Sequence, residues 1–539
     1  MLGICRENFV IFVIIMNNHT MKSLLKALLP LMLVSCTGGT VIPVGTDVRY
    51  WGGHIKDGSR MPFEPGFRTA LNDNLSNQTA PLLLGSDGTY VWSDAPFAFE
   101  VTGKSIEVDR KVEVVKAGET LADAYRAAAR AHFPADGQLP PAEFYRAPQY
   151  NTWIELMYDQ NQEGVLAYAR GILENGLPAG IIMIDDTWQE DYGKWEFHPG
   201  RFPDPKAMCD ELHRMGFKLM LWICPFVSMD QYLICREING FQGFLHTADG
   251  QPYPVRWWNG TSAVLDFSNP QSAQWFDGRL RHLMDSYGVD GFKFDAGDFD
   301  FYPADALAAG GDVPGWEQCS LFVQLARKYP YNELRAGWRN AGQPIVQRLH
   351  DKAHSWEDLA KLIPEMMAES LMGYSFCCPD MVGGGSFETF LSGQTDQDLI
   401  VRSAQVHALM PMMQFSLAPW RVLSPERYAA VLKAVKTRES LLPYIESLYA
   451  KAAAEGEPIV APLEFYFPHQ GFASVKDEFM LGDRILVAPV LESGISRTVI
   501  LPQGRWKADD GTEYAGGTHR IDAPLDRLPY FELVSPVQD

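Results

Sequence analysis

GFKFDAGD, residues 291–298, is a short apolar run that ends on a carboxylate, Asp295. A helix-like stretch stands directly before it. Asn269 offers an N-cap, Pro270 occupies the first helical position, and Trp275, Leu280, Leu283 and Met284 fall on one side before Gly288 supplies the stop. The same order of helix, glycine, buried strand and carboxylate begins near residue 144. Tyr150–Leu156 reads as a strand, and Val165, Leu166, Ala169, Ile172 and Leu173 follow at helical spacing up to Gly176. Ile181–Ile184 is a buried strand ending on Asp185-Asp186, and Phe217–Ile223 is another. Repeated β/α units of this length, with acidic residues at strand ends, predict a (β/α)8 TIM barrel over residues 141–440, with its active face at the strand C-termini.

Outward from the barrel the pattern changes. Residues 37–140 are rich in Gly, Thr and Val, and runs such as Tyr90-Val91-Trp92 and Phe97–Val101 alternate between turn residues, which predicts an N-terminal β-sandwich. Thr120–Ala131 reads as a helix, and Pro134–Pro141 as a linker. Beyond 440 the runs Phe465–Phe467, Ile485–Val490, Arg497–Leu501 and Tyr530–Leu533 predict a C-terminal β-sheet domain over 441–539. Residues 1–36 read as a signal segment with its better start at Met21: Lys22 and Lys26, an apolar run, then Leu33-Val34-Ser35-Cys36. Those last four residues resemble the bacterial lipoprotein processing box. The resemblance implies export to the periplasm or outer membrane with a lipid anchor at Cys36. No later apolar run is long enough to span a bilayer.

The chain of 539 residues exceeds what one core organises, so two to four domains are expected. Hydrophobic residues make up 46% and charged residues 21%, the balance of a globular protein. A net charge of −21 argues against DNA, RNA or anionic lipid as partners. The eight cysteines show neither CxxC pairing nor metal-ligand spacing, so buried free thiols are expected.

Two aspartates stand where chemistry would sit. Asp295 has an ordinary alternative as a helix cap, but Ala296 and Gly297 leave room for close approach of a ligand. Asp351, in QRLHDKAHSWEDL (347–359), precedes a helix opened by Ser355 and Asp358 in a capping-box arrangement. Loop aspartates are usually solvated, so position alone says little of Asp351. Asp295, Asp298 and Asp300 together could hold Ca2+ or Mg2+, but neither His nor a ligand loop accompanies them, and neither metal nor cofactor is expected.

From about residue 90 to the C-terminus the chain resembles glycoside hydrolase family 31. KFDAGD is similar to the family's nucleophile motif, which implies Asp295 in that role. Asp351 falls five residues before Trp356, as the family's acid/base aspartate does, and Arg335 lies 16 residues before Asp351, matching a sugar-binding arginine. Asp380 in CCPDMVGGG resembles the aspartate of a later glycine-rich strand end, and Asp185 the one that holds far glycone hydroxyls. GKWEFHPGRFPDPKAM (193–208) and DEFMLGDRILVAPVLESG (477–494) are also family-like. The chemistry agrees: retaining cleavage needs two carboxyl groups roughly 5–5.5 Å apart, one to attack the anomeric carbon and one to protonate the leaving oxygen. Lys293, two residues before Asp295, would hold the nucleophile ionised or touch a hydroxyl.

The resemblance is greatest to the subgroup with the myogenesis-regulating glycosidase and bacterial α-galactosidases. MPMMQFSLAPWR (410–421) puts Ser416 where glucoside-active members carry a histidine. The resemblance thus implies an α-linked galactoside substrate, with α-glucosidase or α-xylosidase activity as alternatives; Asp185 and Asp186 would meet the axial 4-hydroxyl. Trp188, Trp222 and Trp338 are stacking walls or plain core. A non-catalytic glycan-binding lipoprotein would be expected to have lost one carboxylate, and both are present. If Cys36 is the lipidated residue, Cys36→Ala should leave the exported chain in the soluble fraction, whereas a wild type already soluble and cleaved elsewhere would refute the anchor.

Overall fold

The computed structural model describes residues 38–238, 240–391 and 395–535. Its centre is a ring of short, almost wholly buried parallel strands: β1 (Gln149–Asn151), β2 (Ile181–Ile184), β3 (Lys218–Ile223), β4 (Gly291–Phe294), β5 (Tyr331–Leu334), β6 (Val346–Arg348), β7 (Cys377–Cys378) and β8 (Gln414–Phe415). The hydrogen-bonded order is β7-β6-β5-β4-β3-β2-β1-β8. Strand pairing leaves β7 and β8 as neighbours that do not ladder, and the Val382 N–H crosses that seam to the Gln414 carbonyl at 2.8 Å. The barrel is therefore nearly closed, and the eight strand ends point their following residues to one face.

Helices α1 (Gln162–Glu174), α2 (Pro205–Arg214), α3 (Pro270–Tyr287), α4 (Gly315–Ala326), α5 (Trp356–Leu371), α6 (Gln397–Ala408) and α7 (Pro425–Glu455) follow the strands. Their ends obey local chemistry. Asn269 caps α3 by accepting from Gln271 N, Gly288 ends it at φ 87°, and Ser355 caps α5 by accepting from Asp358 N. The regular alternation fails once, because no helix separates β5 from β6. In its place Gly337–Trp338 pairs in parallel with Gln78–Thr79 of the N-terminal region, so another domain's sheet covers this side of the barrel.

That N-terminal region holds two sheets. One joins Thr40–Pro43, Ser105–Val108, Ala98–Val101 and Arg68–Ala70; the other joins Tyr50–His54, Gln78–Gly85, Thr89–Trp92, Glu113–Lys116 and the barrel's own Gly337–Trp338. Its helical turn Ile55–Arg60 lies backbone to backbone against α5: a Cβ on Gly58 would meet the Pro364 oxygen at 2.5 Å. A C-terminal six-stranded sheet, Val460–Ala461 to Tyr530–Ser535, completes the molecule around Trp506.

Several expected elements differ. The strand expected over Tyr150–Leu156 stops at Asn151, whose Oδ1 accepts from Trp153 N at 2.8 Å and turns the chain into a short helix. Phe465–Phe467, expected as strand, falls largely in the helical turn Leu463–Tyr466. The division at 440 falls inside the 31-residue helix α7, because its buried side continues past that point with Ile445, Leu448 and Tyr449. Cys209, Cys224, Cys235, Cys319, Cys377 and Cys378 are buried free thiols, while Cys5 and Cys36 lie outside the described residues. Among the described residues no helix is long and apolar enough to cross a membrane.

Candidate active site

The barrel interior is not purely apolar. Lys293 of β4 donates to Asp185 Oδ2 at 2.7 Å, and both are almost fully buried. Glu333 of β5 accepts from Gln414 of β8 at 2.8 Å and lies 3.4 Å from Arg348 Nε of β6. Charges are tolerated here because they are paired. Above them sits Asp295, 8% exposed. Its own N–H extends the β3–β4 ladder by bonding to the Ile223 carbonyl at 2.8 Å, which fixes the side chain's origin.

Asp295 Oδ2 accepts from Trp222 Nε1 at 2.8 Å, and Oδ1 lies 3.4 Å from Arg335 Nη1 with no hydrogen-bond partner. Burial alone would raise the carboxyl's pKa. The cations Arg335, Lys293 and Arg348, with the Trp222 donor, outweigh it and hold Asp295 well below the usual carboxylate range. Directly after it, Ala296 and Gly297 turn the chain at φ 57° and 79°. A Cβ on Gly297 would lie 2.7 Å from the Phe322 ring, so this position requires glycine twice over. Arg335 also bonds Asp298 Oδ2 and lies under the Trp258 ring, 5.0 Å from its centroid. Its guanidinium thus contacts both Asp295 and Asp298, two of the three carboxylates considered for a cation.

Asp351 hangs from the loop after β6 with 44% of its side chain exposed, and its Oδ1 accepts from Arg348 Nη1 at 2.8 Å. The same Nη1 donates to Asp380 Oδ1 at 2.7 Å. Asp380 Oδ2 accepts the backbone N–H groups of Lys352 at 2.8 Å and Gly385 at 2.9 Å. Burial and the nearby Asp351 push Asp380 up to about 7, against the pull of Arg348. With no accessible surface, Asp380 touches no sugar in this arrangement; it ties the loops after β6 and β7 together beneath Asp351.

Asp185 spends Oδ1 on the Asp186 N–H. Asp186 points elsewhere. It accepts from Thr187 N, Gln189, Tyr192 and, at 2.6 Å, Asn259 Nδ2. Burial and the adjacent Asp185 push it up to about 7. Its structural work is to anchor the tip of the hairpin formed by Val255–Trp257 and Gly260–Val264, so it does not offer a spare acceptor to a 4-hydroxyl. All three tryptophans weighed as stacking walls are buried: Trp222, 1% exposed, reaches Asp295 only through its N–H, Trp188 donates to the Trp222 carbonyl, and Trp338 packs on Phe299 and Trp316. Ser416 is buried and accepts from Ile154 N at 2.7 Å.

Several contributors escaped the sequence reading. Trp258, 46% exposed, stands on one side of the mouth; Trp153, Tyr158 and Phe387 form an edge-to-face cluster on another. The N-terminal segment Asn74–Gln78 reaches the strand ends that form the site. Asn74 donates to Asp298 Oδ1, Gln78 donates to the Arg335 carbonyl at 2.8 Å, and Asn77 donates to the Arg335 and Arg348 carbonyls while accepting from His350 N. Leu75 and Ser76 adopt φ 51° and 61° to make this turn, a backbone cost met by the contacts on either side. The only local cue was the cluster of turn-forming Asn and Asp residues around 72–77.

Residues 147–448 match the TIM-barrel domain of the glycosyl hydrolases family 31, and residues 456–532 match that family's C-terminal domain. The chain belongs to glycosyl hydrolase family 31. It is 33% identical over 438 residues to the myogenesis-regulating glycosidase of Mus musculus, covering 78% of this chain and 60% of that protein. It is 27% identical over 426 residues to the 1,3-alpha-isomaltosidase of Kribbella flavida, covering 66% and 56%. The chain therefore spans less than two thirds of either relative. Among solved structures, the Flavobacterium johnsoniae GH31 dextranase complexed with glucose superposes with a TM-score of 0.81 at 18% identity, covering 93% of this chain and 67% of that one. A GH31 alpha-xylosidase from a soil metagenome, complexed with xylose, gives 0.78 at 21% identity, covering 92% and 79%. At these identities the superpositions establish a shared fold.

The Asn77 contacts lead to a stability prediction. Asn77→Leu keeps the branched shape but removes the donor to the Arg348 carbonyl and the acceptor of the His350 N–H, while the Arg335 carbonyl keeps Gln78; we expect a loss of roughly 2–4 kcal/mol, read by denaturant unfolding. An unchanged midpoint would show that Asn77 is dispensable to the strand ends that carry Arg335 and Arg348.

Proposed function

We propose that this chain is a retaining, exo-acting α-glycoside hydrolase in which Asp295 is the nucleophile and Asp351 the acid/base. The observation that carries the reading is the contrast between two carboxyl groups at one barrel mouth. Asp295 is buried yet held ionised by Arg335, Lys293, Arg348 and the Trp222 N–H; Asp351 stands half exposed on the next loop but one. An ionised, desolvated carboxylate is primed to attack an anomeric carbon.

In the first step Asp295 Oδ1, the oxygen without a hydrogen bond, forms a bond to the anomeric carbon. The glycosidic C–O bond breaks, and its electron pair takes the proton from Asp351. In the second step water, deprotonated by Asp351, attacks the anomeric carbon and releases Asp295. Two displacements at one carbon return the original anomeric configuration. Exo action is supported by the hairpin tip, where Trp258 and Asn259 reach Arg335 and Asp186 and wall off one side of the mouth.

For the sugar we propose an α-galactoside, on the subgroup resemblance and on Ser416, which bonds Ile154 instead of offering an imidazole to the glycone. Asp185, Trp222 and Arg335 would face the ring. The rival reading, α-glucoside or α-xyloside, is favoured by the names and ligands of relatives such as the isomaltosidase and the xylose-bound structure. Export with a lipid anchor at Cys36 belongs to the same proposal.

Two experiments test these assignments. Asp295→Ala should abolish turnover with the fold intact and regain part of it with azide, while Asp351→Ala should slow poor leaving groups far more than activated aryl glycosides; equal losses on both substrates would remove Asp351 from its role. Aryl α-galactoside, α-glucoside and α-xyloside should then be compared at one pH. The wrong epimer leaves a buried polar group unpaired at roughly 1–3 kcal/mol, which is about fivefold to 150-fold in kcat/KM. Faster cleavage of glucoside or xyloside would overturn the galactose assignment and leave the two aspartates in place.

A further inference from the structure

A general acid must hold one geometry, yet Asp351 sits on a loop with nearly half its side chain in water. The hydrogen bond that fixes it comes from Arg348 Nη1 at 2.8 Å. Arg348 is itself 2% exposed and held from several sides. Nη1 also donates to Asp380 Oδ1 and to the Leu349 carbonyl at 3.1 Å, Nε faces Glu333 Oε1 at 3.4 Å, and Asn77 donates to the residue's carbonyl. Asp380 is pinned in turn by the N–H groups of Lys352 and Gly385. A side chain at Gly385 would displace these carboxylates, since a Cβ would meet Asp380 Oδ1 at 2.7 Å and Asp351 Oδ1 at 3.0 Å.

One rigid guanidinium is thus shared by carboxylates from β5, the loop after β6 and the loop after β7. A lysine would present a point charge on a flexible stem and could not keep a fixed fork toward Glu333 and Nη1's two carboxylates at once. The placement also suits the reaction. When Asp351 gives its proton to the leaving oxygen, the carboxylate that forms already faces a positive group that needs no reorganisation.

We propose that Arg348, braced by Asp380 and Glu333, is the positioning residue of the acid/base, setting the orientation of Asp351 and stabilising its charged form between the two steps. The proposal rests on Asp351 being the acid/base. It predicts a loss that depends on how much acid assistance the leaving group needs, which a merely structural arginine would not produce.

The test compares wild type, Arg348→Met, Arg348→Lys and Asp351→Ala on aryl glycosides of graded leaving-group acidity and on an unactivated disaccharide of the same glycone. The active fraction of each is counted by intact mass after labelling with a 5-fluoroglycosyl fluoride, whose fluoride departs without acid help. Per labelled site, Arg348→Met should lose about a hundredfold or more in kcat on the disaccharide and less than about tenfold on the best aryl leaving group, with KM little changed. Arg348→Lys should recover part of the loss. A loss equal across leaving groups, or a lysine variant no better than methionine, overturns the inference. Should the methionine variant fail to fold, the lysine variant decides alone: a loss graded with leaving group supports the inference and a flat one overturns it. A wild type that is neither labelled nor active on any α-glycoside would bring down the function and the inference together. An active wild type with flat Arg348 losses brings down only the inference.

Discussion

An ionised carboxylate in a water-poor barrel mouth is the constraint from which most of this site follows. Asp295 cannot keep its charge there unaided, because burial favours the neutral form. Arg335 supplies the nearest cation, Trp222 a directed N–H, and Lys293 and Arg348 a positive floor. Each cation needs partners of its own: Lys293 takes Asp185, Arg335 takes Asp298, and Arg348 takes Glu333, Asp351 and Asp380. The result is a connected charge network running through β4, β5 and β6 and the strand-end loops. Removing one member would leave another charge buried and unpaired.

That network explains why flanking pieces of chain reach the barrel mouth. The residue pair Asn77-Gln78 accompanies the strand ends that carry Arg335 and Arg348, because the carbonyls there need donors and the missing helix between β5 and β6 leaves them open. The hairpin tip Trp258-Asn259 covers Arg335 and Asp186 from the other side. The N-terminal region, an appendage in the linear order, and a hairpin inserted between two barrel strands both border the site.

The parts of this arrangement that the sequence showed are those carried by local pattern. Ile181–Ile184 is a strand at the expected residues, Asn269-Pro270 opens α3 and Gly288 closes it, because capping and periodicity act over a few residues. Asp295 at the end of GFKF was visible for the same reason. Tyr150–Leu156 misled because apolar content suits a strand while the Asn151 side chain turns the backbone at Trp153. Phe465–Phe467 misled likewise, its aromatics serving a helical turn packed in a core.

The sequence by itself determined the barrel, its flanking β regions, the family, and the strand-end position of Asp295, while Asp351 stood out only by its likeness to the family pattern. Tertiary structure alone decided what the remaining charged residues do. Asp380 and Asp186 look like ligands for a sugar when read in line, yet both are turned inward and used by the protein. Arg348, unremarked in QRLHD, becomes the link between carboxylates on neighbouring strand ends, and Asn77 acts across more than 250 positions of chain. The physical reason is the same in each case: whether a polar side chain meets a ligand or another residue depends on which partners fall within about 3 Å of it, and strands and loops far apart in the chain supply those partners.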